Sequence, residues 1–161
     1  MGGTTNVELL RQHPLLARMT DEQLLRFGRA GELELFKPDE DIVVAGTLGD
    51  SFYLIVSGSA RVYATANATG LPLATLQAPE FFGEMSLIEP ALRSATVRAA
   101  EMTEVFRVPQ FAMANLLQDD PAAMTSVLVT IVRVLSARLR QANQLVGSVK
   151  ELSAFLAGSL V

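Results

Sequence analysis

The chain has 161 residues, 50% of them hydrophobic and 19% charged, enough for one domain with a core of its own. A net charge of −4 excludes the broad cationic face that dominates nucleic-acid affinity. The lack of cysteine and the single histidine, His13, exclude a disulfide framework, a cysteine-ligated zinc and a multi-histidine metal site.

Residues 6–30 carry Leu and Phe at helical spacing, broken at Pro14, and Thr20 with Gln23 forms a capping-box signal for a second short helix. His13 sits beside that break and reads as structural or solvated rather than catalytic. From Glu32 to Pro109 the period changes to two. Short β-rich runs fall at 32–36, 41–45, 51–57, 60–66, 71–77, 95–100 and 103–109, separated by turn residues in KPDE, GTLGD, SG, NATG and QAPE. Seven or more short strands at close spacing predict a sandwich or a jelly-roll β-barrel, read as a β-roll between N-terminal helices and a long C-terminal helix, an α+β fold. Residues 81–93 (FFGEMSLIEPALR) break the alternation inside the β region, as a functional insert does.

From Gln110 the helical period returns, with a short segment, a DDP start signal and a long run from Ala122 toward Val146. Thr130 and Arg133 interrupt its most apolar part, so no membrane span is expected. The N-terminus lacks the basic start and apolar core of a signal peptide, so a cytoplasmic protein is expected. The whole chain, 1–161, reads as a single domain: N-terminal helices at 6–31, β-roll at 32–109 and C-terminal helices at 110–161.

The insert places Gly83 and Glu84 nine to ten residues before Arg93, Ser94 and Ala95, with about one helical turn between. This combination suits a small anion carrying a sugar. Gly83 lets a ligand approach the backbone, and the turn after it offers N–H groups to negative charge. Arg93 offers a two-pronged fork to a phosphate, with the Ser94 hydroxyl beside it. Glu84 accepts hydrogen bonds only, so its natural partner on such a ligand is a sugar hydroxyl. The alternative reading is an ordinary surface pair of Glu84 and Arg93 around a turn, worth at most about 1 kcal/mol.

The stretch Phe82-Gly83-Glu84-Met85-Ser86-Leu87, five residues, then Arg93-Ser94-Ala95-Thr96-Val97-Arg98-Ala99 resembles the phosphate-binding cassette of the cyclic-nucleotide-binding domain family. A second stretch, Ile42-Val43, two residues, Gly46-Thr47-Leu48-Gly49, two residues, Phe52-Tyr53-Leu54-Ile55 and Gly58, is similar to that family's glycine-punctuated hairpin. The resemblance covers residues 6–146, with the cassette at 82–96. It implies that Glu84 holds the ribose 2′-hydroxyl, that Gly83 presents its backbone, and that Arg93 pairs with the cyclic phosphate beside Ser94 and the Ala95 backbone. Phe82, Met85 and Ser86 complete the cassette. Phe81 and Phe82 would anchor it to the core. Val62 and Leu73 fall where the family lines the base, although an apolar strand residue is usually core. Gly46, Gly49 and Gly58 are expected at turns that need positive φ.

The implied ligand is cAMP, with cGMP as the alternative. Family members that bind cGMP tend to carry a threonine after the arginine, where this chain has Ser94. The base edge would be read from the long helix near Gln141-Ala142-Asn143-Gln144, with Asn143 chosen because an amide both donates and accepts. No helix-turn-helix follows, unlike the family's DNA-reading members, so nucleic-acid binding by this chain is not expected. Three classes of function stand: a cyclic-nucleotide sensor signalling through its C-terminal helix, a ligand-free interaction domain of the same fold, and an enzyme. The third is weakest without metal ligands or an activated nucleophile. Leu128, Ile131, Leu135, Arg138, Ala142, Leu145, Val149, Leu152 and Leu156 alternate in steps of three and four, the spacing of a two-stranded coiled-coil seam. That stripe predicts a homodimer or an effector protein as partner, with a bend or shift possible at Gly147-Ser148.

Overall fold

The computed structural model describes residues 2–87 and 90–158. The chain divides at Thr125/Ser126 into two units. In the first, helices α1 (Gly2–Arg11) and α2 (Asp21–Ala30) precede ten strands, and α3 (Gln110–Asp119) follows them. The capping box forms as expected: Thr20 accepts from the Gln23 N–H, and the Gln23 side chain accepts from the Thr20 N–H. The Gln23 amide also donates to Asp120 at 2.8 Å, and Asp120 accepts from the Ala123 N–H at 3.0 Å at the start of the last helix. His13 is buried, and its Nδ1 accepts from the Leu15 N–H in the 3₁₀ turn Pro14–Leu16. Burial pushes its pKa below the ordinary value, partly offset by the Glu80 carbonyl.

The strands are β1 (Glu32–Phe36), β2 (Asp41–Val43), β3 (Leu48–Gly49), β4 (Ser51–Ser57), β5 (Ser59–Tyr63), β6 (Ala74–Gln77), β7 (Phe81–Phe82), β8 (Ala91–Leu92), β9 (Thr96–Ala99) and β10 (Thr103–Pro109). They form two four-stranded sheets, ordered β1-β10-β4-β7 and β2-β9-β5-β6, and a two-stranded ribbon of β3 and β8. The roll is thus two sheets and a ribbon, not one continuous closed ladder. The insert expected to lack strands contains β7 and β8, each two residues long and too short for periodicity to reveal.

Strand β4 explains the layering. Tyr53 and Ile55 face the second sheet and join Phe82, Val105, Ala60, Leu76 and Val97 in one buried cluster. Phe52 and Leu54 point the other way, with Phe81, Phe106 and Val108. On that face the α2 residue Phe27 meets Phe106 at 5.9 Å between ring centroids. Because both faces of β4 are covered, its run Ser51–Ile55 is continuously buried rather than alternating.

The second unit is helical. Helix α4 (Pro121–Gly158) begins in the first unit and continues unbroken past Gly147 and Ser148. Ser148 donates its hydroxyl back to the Gln144 carbonyl at 3.1 Å, which keeps it within the helix. Ile131 is buried, whereas the seam residues Leu145, Val149, Leu152 and Leu156 are exposed. By length and composition alone α4 is long and apolar enough to cross a membrane, contrary to the sequence expectation. Thr130 and Arg133 do not outweigh the Leu and Val around them. An isolated helix of this kind is weak evidence for a span, since core helices share the property.

Candidate ligand-binding site

Strands β7 and β8 bracket the turn of the insert. Phe82 is buried and stacks on Tyr53, ring centroids 4.9 Å apart, a contact worth about 1 kcal/mol beyond area burial that fixes where the turn begins. Phe81 likewise meets Phe52 at 5.5 Å. Both phenylalanines anchor the insert to the core. The chain then passes through Gly83 at φ +81° into a 3₁₀ turn, Glu84–Ser86, with no side chain capping its N–H groups. A Cβ at Gly83 would lie 2.8 Å from the Ser51 carbonyl oxygen and 2.9 Å from Arg93 Nη1, so glycine is required there twice over. Glu84 is half-buried, Met85 is 63% exposed, and Ser86 is buried.

Arg93 is pinned through its backbone to the glycine hairpin. Its N–H donates to the Thr47 carbonyl at 2.8 Å, and its carbonyl accepts from the Gly46 N–H at 2.8 Å, continuing the β3–β8 pairing. Its guanidinium donates through Nη2 to the Ser51 carbonyl at 2.9 Å and through Nη1 to the Ser86 hydroxyl at 3.3 Å. It also lies 5.5 Å from the Tyr53 ring centroid. Among the described residues, no ion pair joins Arg93 to Glu84. The surface-pair reading therefore finds no support. These two bonds engage two of the five guanidinium N–H groups.

Gly46 and Gly58 have the positive φ expected of them, but Gly49 does not. Gly49 is glycine for room: a Cβ there would fall on the Arg93 guanidinium. The hairpin and the insert, some 40 residues apart in sequence, are therefore one physical object. The first holds the arginine of the second and makes space for it.

The other sequence candidates are placed as follows. Ser94 is exposed and Ala95 half-buried, directly after Arg93. Val62, on β5, packs partly buried against the core cluster. Leu73 precedes β6, its N–H donating to the Val62 carbonyl at 2.7 Å, while its side chain is 68% exposed. Asn143 is exposed on α4 in the other unit. Ser51 and Tyr53 escaped sequence reasoning because both read as ordinary strand residues. Their shared parity on β4 with the core residue Ile55 was the available signal.

The model of the cyclic nucleotide-binding domain matches residues 33–120. The chain belongs to the cyclic nucleotide-binding domain family. Over 97 residues, 58% of this chain, it is 36% identical to the cGMP-dependent protein kinase, isozyme 1, of Drosophila melanogaster. Over 108 residues, 67% of this chain, it is 29% identical to the cAMP-dependent protein kinase regulatory subunit of Mycosarcoma maydis. It spans only 13% and 21% of those two relatives. The crystal structure of the Thermus thermophilus catabolite activator protein matches with a TM-score of 0.66 at 30% identity, over 81% of this chain and 60% of that one. The family match takes in the whole β-roll beyond Glu32 together with the insert and α3.

Proposed function

We propose that this domain is a cytoplasmic sensor that binds one cAMP per chain and signals through its C-terminal helix, without turning the nucleotide over. The observation that carries the reading is the Arg93 guanidinium, oriented by the Ser51 carbonyl and Ser86 and kept clear by Gly49 and Gly83, beside an uncapped turn. That arrangement suits a cyclic phosphate on Arg93 and the 3₁₀ turn, the ribose 2′-hydroxyl on Glu84 and the base along Val62 and Leu73. Ser94 and the Ala95 N–H would assist at the phosphate, and Asn143 is given the base edge by family resemblance. A half-buried arginine surrounded by glycines is a costly arrangement for a domain that has lost its anion, which favours the sensor over a ligand-free interaction domain.

The choice of cAMP over cGMP rests on Ser94 standing where cGMP binders tend to carry threonine, while the kinship to a cGMP-dependent kinase keeps cGMP as the alternative. For output, the seam of α4 fits a second copy of the same helix, because its step of three and four repeats over residues 128–156. Calorimetry with cAMP and cGMP tests the reading. Wild-type protein is expected to bind cAMP more tightly than cGMP, and Arg93→Ala to lose about 2–5 kcal/mol, thirty-fold or more. No heat and no rise in melting temperature with either nucleotide would overturn it.

A further inference from the structure

Ser51 makes two different connections. Its carbonyl accepts from Arg93 Nη2 at 2.9 Å. Its hydroxyl accepts from Arg107 Nε, also at 2.9 Å, and donates to Asp50 Oδ1 at 2.8 Å. Arg107 lies opposite Tyr53 in the β10–β4 register and so shares a face with the ring over which Arg93 lies. Its guanidinium is held among three carboxylates: Glu32 at 3.3 Å, Glu34 at 3.7 Å and Asp50 at 3.5 Å. Its own side chain is only 27% exposed. An arginine there must be partly desolvated, and an apolar residue with the strand's own preference would serve folding at least as well. Asp50 is tied to the same group. Its carboxyl is held below the usual range first by the Ser51 hydroxyl, then by Arg107 and Arg93.

We propose that Arg107 is a positioning residue for Arg93: it locks the Ser51 hydroxyl, and with it the peptide whose carbonyl aims the Arg93 fork, and so sets which exocyclic oxygen of the ligand phosphate the fork meets. The inference rests on the reading above that the ligand is a cyclic nucleotide. Only the orientation of Arg93 is at issue, not its presence.

The two phosphorothioate isomers of cAMP, each with sulfur replacing one exocyclic oxygen, report that orientation, because a fork fixed in one direction tolerates sulfur at one position better than at the other. Affinities for cAMP and both isomers are measured on wild type, Arg107→Ala, Arg107→Lys, Ser51→Ala and, as a control, Arg26→Ala, which removes the exposed Glu22 pair on α2. Melting temperatures are recorded for each. Arg107→Ala and Ser51→Ala are expected to lose roughly three- to thirty-fold in cAMP affinity and to bring the isomer ratio toward one. Arg107→Lys should recover part of that ratio, and Arg26→Ala should match wild type. In an Arg93→Ala background, removing Arg107 should cost no further affinity. Ser51→Ala leaves the carbonyl and the carboxylate cluster in place, so it decides the matter should Arg107→Ala fail to fold. A wild-type isomer ratio in the folded variants overturns the proposal even if overall affinity falls, because that pattern is a stability effect alone. A wild-type protein that binds none of the three nucleotides overturns the functional reading itself, and the positioning role with it.

Discussion

Substituting two glycines of one hairpin separates ligand binding from stability. Gly49 sits in β3 with an ordinary backbone φ, so Gly49→Ala introduces no backbone strain, but the added methyl group occupies the position of the Arg93 guanidinium. Arg93 must then leave the Ser51 carbonyl and Ser86, charge-assisted bonds worth about 1.5–3 kcal/mol each while the arginine is held. Its neighbours Leu92 and Ser94 are exposed, so the side chain has open space to swing into, and much of that loss is regained from water. The expected result is cAMP affinity lowered about 10- to 100-fold, or about 1.4–2.8 kcal/mol, with little change in melting temperature. Gly46 is the reverse case. A Cβ there meets nothing within 4 Å, but its φ is +81°. Gly46→Ala should cost about 1–2 kcal/mol of stability, roughly 2–8 °C for a chain of this length, with affinity within about twofold. Calorimetry and thermal melting on the same samples give both numbers. Wild-type affinity in Gly49→Ala would refute the claim that this glycine exists to make room for Arg93.

Glu84→Ala should weaken binding of cAMP but affect 2′-deoxy-cAMP less, and equal losses in a calorimetric comparison would remove Glu84 from the ribose. Burial holds the folded-state pKa of His13 below its ordinary 6.5, so the unfolded chain takes up the proton first. The stability contribution is complete above pH 6.5 and is lost as pH falls below it, so melting temperature should drop between pH 7.5 and 5.5 in wild type and stay flatter in His13→Asn. Truncation before Gly147 should abolish a dimer seen by sedimentation of the full chain, and monomers in both cases would exclude α4 as the seam.

Where long alternating or helical runs exist, the sequence was sufficient. Strands at 32–36, 51–57 and 103–109 fall where the β-rich runs put them, and the Thr20–Gln23 box opens α2. The two-residue strands β3, β7 and β8 could not be seen that way, since a period needs several residues to express itself. They exist because tertiary pairing supplies the partner: Leu48 and Gly49 are strand only because Leu92 and Ala91 lie beside them. Helix α4 outran its expected end because one glycine costs only about 1 kcal/mol, a small penalty against the apolar and helix-forming residues on either side.

The residue types of the proposed site could be read from the sequence, but what holds them in place could not. Gly83, Glu84 and Arg93 stand out by residue type, whereas what aims Arg93 is a set of strand residues that look like sheet. Ser51 is small and buried, Tyr53 is a good strand former, and Arg107 reads as an exposed position in an alternating run. Only the β4–β10 register shows that Arg107 and Tyr53 stand opposite each other, and only the three-dimensional path brings Ser51 under Arg93. The same register explains why the glycine hairpin and the cassette occur together. A strand of continuous burial fixes the Ser51 carbonyl to within bonding distance, the hairpin on its N-terminal side supplies a Cβ-free position at Gly49, and β8 delivers Arg93 into that space through the Gly46 and Thr47 backbone. Losing any of the three would leave an arginine charge without direction, which binds phosphate weakly and without choice among its oxygens.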